Sequence, residues 1–352
     1  MQQSLIHSEG RSKLDVNRSR EPRCPVPRLL FIRATEACNA SCFMCDFAGN
    51  KTPHLITVKD AHQLVRELAG SLIRHVRLTG GEPLLLDEVA QIVSIFKDAG
   101  LAVSIITNGL LLERRWSDLV MAGLDQIIVS LDSSRPEVHD KLRNTEGLFQ
   151  TALAGIVRIQ SETPSTLIRV NTVVTEHNLK SLPDMFALLQ ELGIKQWSLI
   201  PCKPLANQFS ENFESTLSFV RQRLKNQIAQ SNVPHLMGNS LDLFGHNIQD
   251  FRRLVKQGRM KTPKPRCEVV EWIRFLDPKS RRVFPCNCVP HRGKGADKFS
   301  EPWSRNSWSE HALGPSRNWL RHNGPSQCTG CEPLNVALGE GCIDLNKDVF
   351  GF

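Results

Sequence analysis

Cys38, Cys42 and Cys45 stand in the run Cys-Asn-Ala-Ser-Cys-Phe-Met-Cys. Thiolates select iron–sulfur clusters or zinc, and closed sites of either kind take four protein ligands. This local group supplies three; the nearest other thiol is Cys24 and the nearest imidazole His54. Three thiols packed so tightly predict ligation of three irons of one cubane, with the fourth iron open for chemistry. A second group, Cys267, Cys286, Cys328 and Cys331, predicts a closed four-thiol site holding a complete cluster or zinc, with Cys288 and Cys342 as alternate ligands. Cys328-Thr-Gly-Cys331 is its two-ligand knuckle.

Something regular must carry these loops. Short apolar, β-branched runs at 29–32, 75–78, 103–106, 127–131, 168–174 and 197–200 predict strands. Helical-period segments at 58–69, 86–98, 111–122, 149–160 and 182–192 alternate with them. Such alternation implies a parallel sheet wrapped by helices. After Cys202 the alternation ends: 211–230 reads as a helix, 232–265 as irregular, and 270–276 and 281–284 as a β-hairpin turning at Asp277-Pro278-Lys279-Ser280.

Eleven cysteines among 352 residues, with no secretory leader, argue against a disulfide scaffold and for metal ligation in a reducing cytoplasm. No stretch reaches the roughly 20 apolar residues of a membrane span. The net charge of +8 fits a solvated surface, or attraction of an anionic partner. The densest basic run, 252–266, lacks interleaved aromatic platforms, so nucleic acid is not an expected partner.

The C-x3-C-x2-C spacing, with Phe43 before Met44 and the last cysteine, resembles the signature of the radical S-adenosylmethionine (SAM) superfamily. Gly80-Gly81-Glu82-Pro83 after the second predicted strand, Thr107-Asn108-Gly109 after the third and Ser130-Leu131-Asp132 after the fourth extend the resemblance in order. It implies a partial (β/α)6 TIM-like barrel over 28–202, preceded by a basic arm at 1–27 and followed by a connection at 203–265. In barrels of this kind the active site lies at the carboxyl ends of the strands, where all these motifs fall. The C-terminal order of cysteine, hairpin, cysteine and C-x-x-C is similar to the twitch module, a shortened SPASM domain, and places one auxiliary [4Fe-4S] cluster in 266–352.

The resemblance also implies roles. The open iron of the Cys38/Cys42/Cys45 cluster binds the amino and carboxylate groups of SAM. Phe43 packs near adenine and the Met44 backbone reads its edge. Gly80 and Gly81 admit the methionine moiety, while Glu82 and Pro83 belong to the same loop. Asn108, Ser130 and Asn171 are placed to bond ribose or carboxylate, and Arg143 to pair with the SAM carboxylate. The plainer alternatives are a surface ion pair for Arg143 and a strand residue satisfied by its neighbours for Asn171. Cys202, at the barrel mouth, is a candidate hydrogen-atom donor or a buried apolar thiol.

The expected activity is reductive cleavage of SAM to a 5'-deoxyadenosyl radical that takes hydrogen from a small polar metabolite of sugar, aminocyclitol or nucleoside type. A low-potential flavodoxin or ferredoxin would supply the electron. The small-molecule expectation rests on the short stretch of about 27 residues before the first strand, since peptide-modifying enzymes of this type often carry an added N-terminal domain. A peptide maturase or epimerase is the near alternative, and a non-catalytic zinc-binding interaction protein the distant one.

Overall fold

Aliphatic runs that end in glycine, threonine or serine become strands here, and the segments with a 3.6-residue apolar stripe become the helices that cover them. The computed structural model describes residues 28–45, 47, 53–202, 212–231, 235–236, 273–284 and 300–308. Strands β1 (Leu29–Thr35), β2 (His75–Gly80), β3 (Ala102–Thr107), β4 (Gln126–Ser130), β5 (Leu167–Val174) and β6 (Gln196–Pro201) pair in sequence order and in parallel. The intervening helices are α1 (Val58–Leu68), α2 (Val89–Asp98), α3 (Leu112–Met121), α4 (Pro136–Arg143), α5 (Leu148–Glu162), α6 (Glu176–Leu179) and α7 (Leu182–Glu191), with α8 (Phe213–Ala229) after β6. The architecture is an open α/β partial barrel, with a mostly parallel sheet and one continuous core between its outer face and the helices.

Three differences from the sequence reading have physical causes. The helix expected at 86–98 begins at Val89, because Glu82 caps a 3-10 turn, Pro83–Leu85, by accepting from the Leu84 N–H at 2.9 Å. Helices α4 and α6 carry no long apolar stripe: α4 buries His139, Leu142 and Arg143, and α6 is a single turn boxed by Thr175 and Asn178. The sheet also does not end at Cys202. Strand β7 (His235–Leu236) lies parallel to β6, and β8 (Ile273–Asp277) lies parallel to β1 on the opposite flank. The hairpin β8–β9 (Arg282–Phe284) forms with the expected turn, and β10 (Glu301–Pro302) follows it antiparallel. The full order is β10-β9-β8-β1-β2-β3-β4-β5-β6-β7.

Charge ties the hairpin to the strand that leads into the cysteines. Arg33 of β1 lies 3.3 Å from Asp277 and 3.6 Å from Glu36, and its guanidinium sits over the Phe275 ring at 5.4 Å. Lys279, in the hairpin turn, donates to Glu36 at 2.6 Å. Trp303 and Trp308 both donate to Glu67 of α1, at 2.6 and 3.2 Å. Arg33 and Asp277 are both buried, so removing one strands the other's charge away from water. Arg33→Met is therefore expected to cost roughly 3–5 kcal/mol in urea-unfolding free energy. A cost no larger than that of an exposed pair, about 1 kcal/mol, would show that the hairpin docks without this charge.

Candidate active site

The loop after β1 carries Cys38, Cys42 and Cys45 against the end of β2. The Gly81 N–H donates to the Thr35 carbonyl at 2.8 Å and the Glu82 N–H to the Ala37 carbonyl at 2.7 Å. A Cβ at residue 80 would lie 2.1 Å from the Thr35 oxygen, and one at residue 81 would lie 2.0 Å from that of Ala37. Only glycines allow this approach, and Gly80 also holds φ +131°. Here the glycines seat the cysteine loop on the barrel.

Glu82 is fully buried. It accepts from the Asn108 N–H at 2.7 Å, the Thr107 hydroxyl at 2.8 Å and the Leu84 N–H. Burial still outweighs these donors and pushes its carboxyl up to about 7. Pro83, also buried, opens the 3-10 turn. The Asn108 side chain donates to Asn39 Oδ1 at 2.7 Å and reaches the Cys38 sulfur at 3.9 Å. The ends of β2 and β3 thus hold the cysteine loop from one side.

The ends of β4 and β5 hold it from the other. Asp132, just beyond β4, has no exposed surface; it accepts from Arg143 Nε at 2.7 Å and from the Val173 N–H at 2.8 Å. Arg143 is buried at the end of α4, where its charge acts on both Asp132 and Cys42, so the surface ion pair is ruled out. Burial alone would lower its pKa, but Asp132 and then Cys42 hold it above its ordinary value. Asp132 and His139 carry no local signal of a site role beyond the place of Asp132 at the end of the Ser130-Leu131-Asp132 motif. The His139 Nδ1 accepts from the Asp132 N–H at 3.0 Å, which fixes the turn that aims the carboxylate.

Ser130 and Asn171 sit side by side on β4 and β5, both half-buried, and Asn171 Oδ1 accepts from Arg169 at 3.2 Å. Phe43 is 49% exposed and meets His177 edge-on, with ring centroids 6.5 Å apart. Met44 is half-buried beside it, and the Cys45 N–H closes the turn on the Cys42 carbonyl at 3.1 Å. Cys202 follows β6; its N–H donates to the Val174 carbonyl at 3.1 Å, and burial, then the Asp132 charge, raise its thiol. Cys267, Cys286, Cys288, Cys328, Cys331 and Cys342 lie outside the described residues.

The donor chemistry at the first loop fits an iron–sulfur cluster. Cys38, Cys42 and Cys45 form no disulfide. Burial raises the thiols of Cys38 and Cys42; Cys45 adds to the rise at both, Glu82 adds to it at Cys38, and Cys38 adds to it at Cys42. Arg143 opposes that rise at Cys42, which suits a thiolate whose proton a metal displaces. The Asn39 Nδ2, beside Cys38, is buried without a hydrogen-bond partner among the described residues and supplies a donor for a sulfur-rich group. Among the described residues no three His, Cys, Asp or Glu side chains gather on one point as a single ion requires.

Residues 32–189 match the family model described as the Radical SAM superfamily. That segment is similar to a radical SAM domain. It is 34% identical to the AdoMet-dependent heme synthase of Methanosarcina barkeri over 171 residues, 47% of this chain and 48% of that protein. The chain therefore spans about half the length of this curated relative. It is 28% identical to a probable GTP 3',8-cyclase of Methanocaldococcus jannaschii over 216 residues, 56% of this chain and 72% of that one. Among solved structures it resembles Streptococcus suis SuiB bound to S-adenosylmethionine, with TM-score 0.61, 14% identity, and coverage of 88% of this chain and 72% of SuiB. That likeness is one of fold. Radical SAM domains use a [4Fe-4S] cluster and SAM.

Two outcomes follow from this geometry. Gly81→Ala pushes a methyl into the Ala37 carbonyl and is expected to cost roughly 2–4 kcal/mol and to lower iron incorporation, read by unfolding and iron assay. Burial holds His139 down to about 4, below its ordinary 6.5. Its neutral form thus contributes stability that is present above 6.5 and fades as pH falls toward 4. Urea midpoints across that range should slope downward with acid in the parent and flatten in His139→Gln; equal slopes would place the acid sensitivity elsewhere.

Proposed function

We propose that this chain is a radical SAM oxidoreductase acting on a small polar metabolite. The observation that carries the reading is the joining of three strand ends around one thiol loop. The glycines at the end of β2 and Asn108 beyond β3 bond the segment 35–42, and Asp132 beyond β4 acts on it through the charge of Arg143. A zinc-binding scaffold has no use for such a rim.

Cys38, Cys42 and Cys45 would hold a four-iron cluster, which when reduced would supply the electron for cleavage of SAM to methionine and a 5'-deoxyadenosyl radical able to take hydrogen from the substrate. The chain's own residues bind and orient. Phe43 offers an exposed ring for the adenine, and the Met44 backbone an edge to read it. Ser130 and Asn171, adjacent and half-buried, present hydroxyl and amide groups to a ribose or carboxylate. Arg143, held charged by Asp132, offsets thiolate charge at Cys42 and stands ready for the SAM carboxylate. Glu82 fixes Asn108 in place. Cys202, whose thiol keeps its proton, is positioned by β6 as a hydrogen-atom donor.

Two further features belong to the proposal. Cys267, Cys286, Cys328 and Cys331, with Cys288 and Cys342 as alternates, ligate one auxiliary [4Fe-4S] cluster in a twitch-type module, and a flavodoxin or ferredoxin delivers the electron. The small-metabolite substrate is supported by the curated relatives, whose names refer to heme and GTP. Among the described residues no helix is long and apolar enough to cross a membrane.

Anaerobically reconstituted protein should be brown, with about eight irons per chain for two four-iron clusters, and should release 5'-deoxyadenosine from SAM with dithionite. Replacing Cys38, Cys42 and Cys45 together by Ala should abolish that release and remove about half of the iron. A colourless preparation containing only zinc would sink the enzymatic reading. Release that depends on an added precursor peptide would replace the metabolite by a peptide.

A further inference from the structure

The inner wall of the barrel, below the rim just described, has a chemistry of its own. On β5, Ile168, Val170, Thr172 and Val174 are buried toward the helices, whereas Arg169, Asn171 and Val173 are half-exposed on the opposite, inner face. Register carries that face across the sheet: Arg169 lies beside Gln196 of β6, and Arg77 of β2 lies beside Ser104 of β3, itself beside Gln126 of β4. Because Arg169 pairs with Ile128 and Gln126 with Leu167, Arg77 stands one side-chain layer deeper than Arg169. Two arginines therefore face the interior at successive depths beneath the rim.

Their hydrogen bonds form two groups, one around each arginine, brought side by side by the register of Arg169 with Gln196. Arg77 donates to the Ser104 hydroxyl at 2.9 Å and to Gln126 Oε1 at 3.3 Å. Gln126 donates to Gln196 Oε1 at 2.8 Å. Arg169 donates to Asn171 at 3.2 Å and to the Ser198 hydroxyl. These contacts lock both guanidinium planes in orientation. Burial, and next the charge of Arg169, hold Arg77 well below its ordinary pKa, so the two cations repel in a low-dielectric wall. An anion set against them would offset that repulsion, and a guanidinium fork matches two oxygens of one carboxylate or phosphate.

We propose that this wall is an oxyanion subsite, in which Arg169 contacts a carboxylate or phosphate carried by the substrate and Arg77 supports it from the layer beneath. The inference rests on the radical SAM reading and narrows its polar metabolite to an anionic one. The half-exposed Thr79, Ile106 and Ser130 on the same inner face lead from the rim to Arg169, which gives a small molecule a path down to it.

Calorimetric titration of the full, reconstituted chain with pyrophosphate and, separately, with citrate tests this. At least one probe should bind the parent, and the stronger of the two identifies phosphate or carboxylate as the recognised group. Arg169→Gln should weaken that binding about ten- to a hundredfold, the loss of a charge-assisted contact, and Arg169→Lys should restore part of it. Arg77→Lys, checked for native circular dichroism, should weaken it less. Binding of neither probe to the parent, or equal affinity in parent and Arg169→Gln, would overturn the subsite. In the same samples, the change that SAM produces in the reduced cluster's electron paramagnetic resonance signal separates the two readings. A retained SAM response without anion binding defeats the subsite alone. Arg169-dependent anion binding without a SAM response supports the subsite and defeats the radical SAM reading alone.

Discussion

The carbonyl oxygens of Thr35 and Ala37 occupy the space where side chains at 80 and 81 would begin. That contact brings the backbone of the cysteine loop against the carboxyl end of β2, and the two N–H groups of Gly81 and Glu82 secure it with short hydrogen bonds. Glu82 then passes the constraint to β3 through Thr107 and Asn108, and Asn108 returns it to Asn39 and Cys38. A ring of contacts arises from one close approach of main chains, and a methyl group at either glycine would break it.

Charge completes what packing begins. Cys42 is buried where a thiolate would be costly, and Arg143 lies beside it, with Asp132 compensating the guanidinium. Asp132 is fixed by main-chain donation from Val173 and by the turn that His139 holds. On the other flank, Glu36 and Arg33 link the start of the same loop to Asp277 and Lys279 of the hairpin. The cysteine loop is thus clamped between the barrel and an element some 240 residues later, since Lys279 and Glu36 are 243 positions apart. Changes in the hairpin can reach the loop through these ion bridges as well as through the β1–β8 pairing.

Much of the barrel was legible because its signals are local. Six strands and five helices appear within a few residues of the positions that alternation and periodicity predict. Helices α4 and α6 escaped notice because one is held by a buried histidine and arginine and the other by a capping box, neither of which leaves an apolar stripe. Strand β8 was legible as the first arm of the hairpin but its parallel pairing with β1 was not, because periodicity identifies a strand but not the sheet edge that receives it, and the two-residue β7 is too short to carry a period.

The same division runs through the site. The sequence by itself determined the three-thiol loop, the glycine pair and the polar ends of β3 and β4, since each is a run of adjacent residues whose chemistry follows from type and spacing. Only the tertiary structure decided that Arg143 turns inward to Asp132 and Cys42 and that Lys279 bridges to Glu36. It also decided that Arg77 and Arg169 share one interior wall. Those meetings join residues far apart in the chain, and they depend on strand register, which sets the neighbours of every side chain and which no local pattern encodes.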